Sequence, residues 1–256
     1  MNSILYISLG IFLPFFLSIL GSSLVFFFKK NINNKLSALI TGFSAGIMIA
    51  ASIWSLIIPS FSYSSHLKQL KFIPAVVGIL IGCLFIILID LIIKVSKQKS
   101  SIKSYNQLTR FVIAFTMHNI PEGLAVGFAF GCALIAQTQT ALVGALMLAI
   151  GIAIQNFPEG IAISLPVYKA TKDKRKSFTV GFLSSVVEPI FALLGLILAS
   201  HLQTLMPWLL CFSAGAMLFV SIEDLIPDSK LENSHIGTWG FIVGFIIMMT
   251  LDVCLT

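Results

Sequence analysis

Two short segments of the chain combine residue types that bind metal ions. HNIPEG occupies 118–123 and QNFPEG occupies 155–160. On a helix, residues three and four positions apart share a face, so each segment presents two nitrogen or amide side chains beside one carboxylate. Imidazole, amide oxygen and carboxylate together suit a divalent ion of borderline softness. The candidate ligands are His118, Asn119 and Glu122 in the first segment and Gln155, Asn156 and Glu159 in the second.

The composition predicts that these segments lie in a membrane. Hydrophobic residues make up 57% of the 256 residues and charged residues only 10%, whereas a soluble domain is about 25% charged. A membrane-spanning helix needs about 20 mostly apolar residues. The chain is therefore predicted to be an all-α integral membrane protein, one transporter domain over 1–256, with eight helical spans. The predicted spans are 4–28, 36–60, 72–95, 108–136, 141–168, 177–200, 205–227 and 236–255.

The basic residues predict the orientation of these spans. Fourteen of the sixteen Lys and Arg residues fall in the loops on one side, and only Lys68 and Lys71 fall on the other. Because cytoplasmic loops are enriched in Lys and Arg, this bias places both termini outside the cell membrane. The net charge of +6 is explained by these loops, so the basic balance does not indicate a nucleic-acid partner. Membrane lipid is the expected surrounding.

Three carboxylates lie near the middle of predicted spans, namely Glu122, Glu159 and Glu188. A charge at the centre of a membrane helix costs roughly 2.5–3.5 kcal/mol on insertion scales. No Lys or Arg occurs at matching depth, so either the carboxylates are protonated or a bound cation neutralises them, and the neighbouring ligands favour the cation. The acids Asp90, Glu223, Asp224 and Asp252 fall near span ends, where we expect them to reach headgroups or water.

A proline and a glycine flank each of the paired glutamates. Pro121 and Pro158 each remove an amide donor, which predicts kinks in the fourth and fifth spans. Gly123 and Gly160 allow neighbouring helices to approach closely. Since consecutive spans run in opposite directions, the two copies of the motif predict an inverted repeat, an arrangement typical of transporters.

At these residues the chain resembles the ZIP (Zrt/Irt-like) metal transporters. HNIPEG and QNFPEG match the fourth and fifth spans of that family, and AGIMIAASIWSLIIPS at 45–60 is similar to its GufA-like prokaryotic branch. The resemblance implies a binuclear metal centre between those two spans. It also implies that a transport domain moves against a scaffold, and that a homodimer is a candidate assembly.

The resemblance also implies roles for individual residues. His118, Glu122, Gln155 and Glu159 would form the main site, and Asn119, Asn156 and Glu188 would complete a second site in which Glu122 and Glu159 bridge. Met48 and Ser55 would line the route from outside. Many relatives carry Asp or His where this chain has Gln155 and Asn156, so the second site has one negative charge fewer.

The expected function is the transport of a divalent metal ion, with zinc uptake into the cytoplasm as the first hypothesis. The ligand set suits Zn²⁺, Fe²⁺, Mn²⁺ and Cd²⁺ alike, each as transported substrate and not as a cofactor. A passive metal-selective channel built from the same residues is one alternative. An intramembrane metalloenzyme is another, but the sequence contains no HExxH motif, so we expect no enzymatic activity.

Overall fold

The computed structural model describes residues 3–28, 33–96, 103–199 and 204–255, and this part of the chain is almost entirely helical. It contains eight helices long and apolar enough to cross a membrane. We number them in chain order. They are α1 Ser3–Ser23, α2 Asn34–Tyr63, α3 Ile73–Ser96, α4 Lys103–Ala136, α5 Gln139–Thr171, α6 Lys174–Ile197, α7 Met206–Ser229 and α8 Ile236–Leu255.

The predicted all-α membrane fold is confirmed. The predicted bounds of the spans differ from those of the helices by at most three residues, apart from the end of α1 and the start of α4, which each differ by five. Polar side chains determine where several helices begin. Asn33, Thr138 and Asp173 precede α2, α5 and α6, and each accepts a hydrogen bond from a first-turn amide. Because the first amides of a helix have no partner within it, such caps stabilise its start. Asp173 therefore serves as a cap, at a position that the sequence placed in a loop.

The helices cross in alternating directions and define two faces of the bundle. We call the end carrying residues 3, 63–73, 136–139, 197–199, 204–206 and 255 the terminal face, and the end carrying 28, 33–34, 96, 103, 171–174 and 229–236 the basic face. At the terminal face, Gln139 Nε2 donates to the Tyr6 hydroxyl at 3.3 Å. At the basic face, Lys174 Nζ donates to the Phe26 carbonyl at 2.8 Å. These contacts fix the relative direction of α1, α5 and α6.

The helices form two groups of four. One group contains α1, α4, α5 and α6, and the other contains α2, α3, α7 and α8, with more contacts within each group than between them. Glycines allow the close approach inside each group. Gly123 lies against the Glu188 carbonyl of α6, and Gly160 lies against the Ser18 carbonyl of α1. The expected role of these two glycines in close helix packing is thus confirmed.

A second internal repeat, which was not predicted above, relates α2 to α7. Residues 44–57 and 213–226 share eight identical residues at a constant offset, and the two helices cross the bundle in opposite directions. Each copy contains a π-helical turn, Ser52–Ile57 in α2 and Ser221–Leu225 in α7. A proline follows each turn, and because proline cannot donate to the helix, it favours this local widening.

The close packing of α4 against α6 gives a first prediction. An added methyl group in Gly127→Ala would overlap the Ala192 carbonyl oxygen, and such overpacking costs about 1–3 kcal/mol, or about 2–4 °C of melting temperature per kcal/mol. We therefore expect a lower melting temperature for the purified variant in detergent.

Gly144→Ala is the matched control for this experiment. Among the described atoms, none lies within 4 Å of a methyl group added at Gly144, and alanine favours a helix over glycine by about 0.8–1.0 kcal/mol. Its melting temperature should be unchanged or higher. Equal melting temperatures for the two variants would contradict the close α4–α6 contact.

Candidate metal centre

A hydrogen bond between α4 and α5 lies at the centre of the candidate site. Gln155 Nε2 donates to Glu122 Oε1 at 2.8 Å, and both side chains are completely buried. The paired motifs place them there, because each motif carries its polar residues on one helix face and the two faces meet. Helical spacing grouped Gln155 with Glu159 of its own helix, and the resemblance grouped it with Glu122 as well. The hydrogen bond joins it to Glu122.

A second amide–carboxylate pair joins α5 to α6. Asn156 Nδ2 donates to Glu188 Oε2 at 2.6 Å, and both residues are 1% exposed. Glu159 lies close enough to Glu188 for their charges to interact. The three central carboxylates therefore belong to one region shared by α4, α5 and α6.

The α4–α6 contact holds Asn119 beside this region. Asn119 Nδ2 donates to the Ser184 carbonyl at 3.0 Å, and Thr116 Oγ1 donates to the Ser184 hydroxyl at 3.0 Å. Ser184 precedes Glu188 by four residues, so it lies one turn away on the same face of α6. Asn119 is thus positioned on the Glu188 side of the centre, where the sequence grouped it.

Three acceptor atoms of these side chains remain available. Gln155 Oε1, Asn156 Oδ1 and Glu188 Oε1 are buried and have no hydrogen-bond partner among the described residues. A buried polar atom without a partner is costly, and each of these oxygens can ligate a divalent cation. Within the described ranges, no three His, Cys, Asp or Glu side chains converge on one point. The side chain of His118 is not among the described ones, and the amide oxygens of Gln155 and Asn156 are further candidate ligands beside the carboxylates.

The charged side chains described in this region are all carboxylates. The sequence contains no Lys or Arg between residues 111 and 168 or between residues 177 and 229. These stretches contain all the polar residues described above. Since buried charges must be paired or coordinate metals, the chemistry of this region fits the binding of a cation.

The remaining predicted residues lie in different places. The side chain of His118 is outside the described part of the structure, so its role as a ligand stays a prediction. Met48 is completely buried in an apolar cluster that also contains Met217. Met217 occupies the position in the repeat between α2 and α7 that corresponds to Met48. The sequence analysis did not single out Met217, because this repeat was not recognised.

Ser55 lines a cavity of about 370 Å³ in the terminal-face half of the bundle. The cavity lies between α2, α4, α5 and α7, and therefore between the two helix groups. Ser55 Oγ also donates to Asp252 Oδ1 at 2.7 Å.

The expectation that the acids at span ends reach water is wrong for Asp252. This residue is only 4% exposed, because the end of α8 is covered by α2. Glu223, by contrast, is exposed as expected, whereas Asp224 and Asp90 are half-buried. The burial of Asp252 follows from the packing of α8 against α2, which the sequence around Asp252 does not indicate.

Comparison with known proteins places the chain in a family. The family model described as ZIP Zinc transporter matches residues 98–252. The zinc transporter ZIP11 of Xenopus tropicalis is 34% identical, with 96% of both chains covered. The zinc transporter ZupT of Chlorobaculum parvum is 30% identical over 91% of both chains. The zinc transporter GufA of Myxococcus xanthus is 34% identical over 59% of this chain and 57% of its own.

The pair formed by Asn156 and Glu188 gives a prediction about metal binding. Asn156→Asp replaces the donor of the 2.6 Å bond with a second carboxylate. The two like charges should repel each other and lower the melting temperature without metal, whereas a cation should then be held more strongly. We expect zinc to raise the melting temperature of this variant more than that of the original protein.

Asn233→Asp makes the same chemical change at an exposed loop position and serves as the control. It should leave both the melting temperature and its response to zinc unchanged. A zinc response of Asn156→Asp equal to that of the original protein would show that this side chain does not contribute to the site.

Proposed function

Because the chain belongs to the ZIP zinc transporter family, we propose that it takes up zinc into the cytoplasm. It is a multi-pass membrane protein that transports a metal ion, and it is a transporter and not an enzyme. We also propose the direction of transport, the residues of the metal centre and the route that leads to it.

The distribution of basic residues supports uptake as the direction. Fourteen of the sixteen Lys and Arg residues occur in the sequence between or next to the helix ends that form the basic face. By the positive-inside rule this face is cytoplasmic, both termini lie outside the cell, and the cavity beside Ser55 belongs to the outer half of the protein. Zinc then arrives from the side on which the cavity lies.

The observation that carries the proposal is the pair of buried hydrogen bonds between amides and carboxylates, Gln155 to Glu122 and Asn156 to Glu188. We assign Glu122, Gln155 and Glu159, together with His118, to the main zinc site. Glu188, Asn156 and Asn119 complete a second site. When zinc binds, the two amides turn so that their oxygens replace water around the ion, and the carboxylates supply the negative charge.

The burial of this centre favours a carrier over a passive channel. A channel needs a continuous wet path, but Glu122, Gln155, Asn156, Glu159 and Glu188 are at most 3% exposed. Zinc must therefore be released by a change of conformation. We infer that the group α1, α4, α5 and α6, which holds every proposed ligand, moves as the transport domain against α2, α3, α7 and α8.

The contact between the two groups is consistent with such movement. Ser44 Oγ of α2 donates to the Pro158 carbonyl of α5 at 3.2 Å, directly beside Glu159. This carbonyl belongs to the stretch of α5 in which proline has weakened the regular bonding. A hydrogen bond of this length is exchanged easily when helices slide. Iron, manganese and cadmium remain alternative substrates for the same ligands, and a homodimer stays a prediction.

Replacement of the central carboxylates tests the site. Glu122→Ala and Glu159→Ala each remove a carboxylate that takes the place of water around the zinc ion. We therefore expect uptake to fall to the level of protein-free liposomes. The measurement is zinc influx into liposomes that contain purified protein and an internal fluorescent zinc indicator.

Glu232→Ala is the control, because Glu232 is an exposed carboxylate of the basic face, and its influx should equal that of the original protein. The melting temperature of each variant must be measured in parallel to show that the protein is folded. If folded Glu122→Ala and Glu159→Ala still import zinc, the metal centre is assigned to the wrong residues.

The concentration dependence of influx tests the carrier mechanism. A carrier binds one load per cycle, so the rate should saturate with zinc concentration, and cadmium should compete for the same site. Influx that rises linearly with zinc and follows an applied voltage would instead favour the passive channel.

A further inference from the structure

A groove of about 340 Å³ runs along the outer surface of the bundle, in the half near the basic face. Residues of α2 and α8 line most of it, and Ile161 of α5 lines the rest. Trp239 and Val243 of α8 form part of the lining, and they are 63% and 45% exposed. The groove is therefore open toward the surrounding membrane, and it lies where the two helix groups meet.

The lining of this groove is almost entirely apolar. Gly240 lies against the Leu39 carbonyl of α2, so the backbones meet there and no side chain of α8 fills the space between Trp239 and Val243. Ser44 is the hydroxyl residue among the described lining residues, and its Oγ donates to the Pro158 carbonyl at 3.2 Å. An empty apolar groove lacks dispersion contacts that a hydrocarbon chain restores, so the groove suits such a chain.

The depth of the groove matches one leaflet of the bilayer. Trp239 lies about 5 Å along α8 from its start at Ile236, and Phe43 lies about 14 Å along α2 from its start at Asn34. Tryptophan is enriched at the level of the lipid headgroups. The groove therefore begins near the headgroups of the leaflet at the basic face and continues into the hydrocarbon region.

The mouth of the groove carries positive charge and hydrogen-bond donors. Lys35 is exposed and lies one turn before the groove lining of α2, and exposed His235 lies one turn before Trp239. The Trp239 indole N–H is a further donor. The sequence contains no Asp or Glu in residues 1–89 or 233–251. The loop before α8 adds one lysine and one glutamate, Lys230 and Glu232, whose charges offset each other. A phosphate group at this mouth therefore meets a cation and donors.

The same charge argues against a second copy of the chain in the groove. In a two-fold symmetric interface the same surface patch meets itself. Lys35 would then face another Lys35, and the stretches of α2 and α8 around the groove offer no acid to pair with it. A lipid phosphate supplies the missing negative charge.

We propose that this groove binds an anionic phospholipid of the leaflet at the basic face, with its phosphate beside Lys35 and one acyl chain between Trp239 and Ile161. The bound lipid contacts both helix groups, next to the hydrogen bond between Ser44 and Pro158. This inference goes beyond metal transport and does not depend on which residues bind the metal ion.

Labelling with a photoactivatable phosphatidylglycerol tests the site. The reactive group is placed on the acyl chain, the purified protein in detergent is irradiated, and the labelled peptides are identified by mass spectrometry. We expect label in residues 36–43 and 236–243. Unlabelled phosphatidylglycerol should compete at about fivefold lower concentration than zwitterionic phosphatidylcholine, which corresponds to one lysine near an anionic headgroup.

Two variants separate the acyl chain from the headgroup. Val243→Phe fills the groove and keeps Lys35 and Trp239, so labelling of these two stretches should be lost. Lys35→Gln removes the charge at the mouth, so phosphatidylglycerol should bind about fivefold more weakly and lose its advantage over phosphatidylcholine. The melting temperature of each variant, measured in parallel, shows that the protein is folded.

Matched controls carry the same changes outside the groove. Val76→Phe alters a valine of α3 that is 49% exposed, and Lys71→Gln removes an exposed charge at the terminal face. Both should label as the original protein does. Equal labelling of the original protein and folded Val243→Phe, or label spread evenly over the exposed surface of α3, refutes the lipid site. A cross-link between the grooves of two chains would assign this surface to a dimer instead, and would also refute it.

Discussion

The structure depends on the burial of carboxylates at membrane depth with no basic residue in the surrounding stretch of helix. Glu122, Glu159 and Glu188 are at most 3% exposed, and the stretches that contain them include no Lys or Arg. A fixed salt bridge would neutralise these groups permanently, whereas an amide donates a hydrogen bond and still leaves the charge available. Pairing with Gln155 and Asn156 is therefore the compensation that remains compatible with reversible binding of a cation.

This constraint extends to the backbone of three helices. Glutamine and asparagine reach only a short distance, so α4, α5 and α6 must approach closely for the bonds of 2.8 Å and 2.6 Å to form. Gly123 provides this approach at the Glu188 carbonyl. On the other side of α5, Ser22 Oγ donates to the Gly160 carbonyl at 3.0 Å, so α1 supports the stretch of α5 that carries Glu159. In lipid, where apolar surface alone does not drive helices together, small residues and such hydrogen bonds supply the association.

The spans, their alternation and the region where the polar side chains of the two motifs meet were predictable, because each depends on local hydropathy or on spacing within one helix. The partners inside the centre were not. Helical spacing grouped Gln155 with Glu159, but the bond joins Gln155 to Glu122 of another helix, and this depends on the rotation of α5 against α4. Asp252 was misjudged for a related reason. Its position near the end of a span led us to expect contact with headgroups or water, whereas its burial depends on the packing of α2 against α8.

The repeat between α2 and α7 shows how a symmetric backbone can carry an asymmetric path. Both copies keep the sequence SAG, the methionine and the π-helical turn before proline. The polar residues differ, since Ser55 in α2 corresponds to Asp224 in α7, preceded by Glu223. The two helices cross in opposite directions, so the equivalent positions lie toward opposite faces of the bundle. Ser55 is buried, whereas Asp224 is half-buried. The two ends of the bundle are therefore chemically distinct although the π-helical turn is repeated.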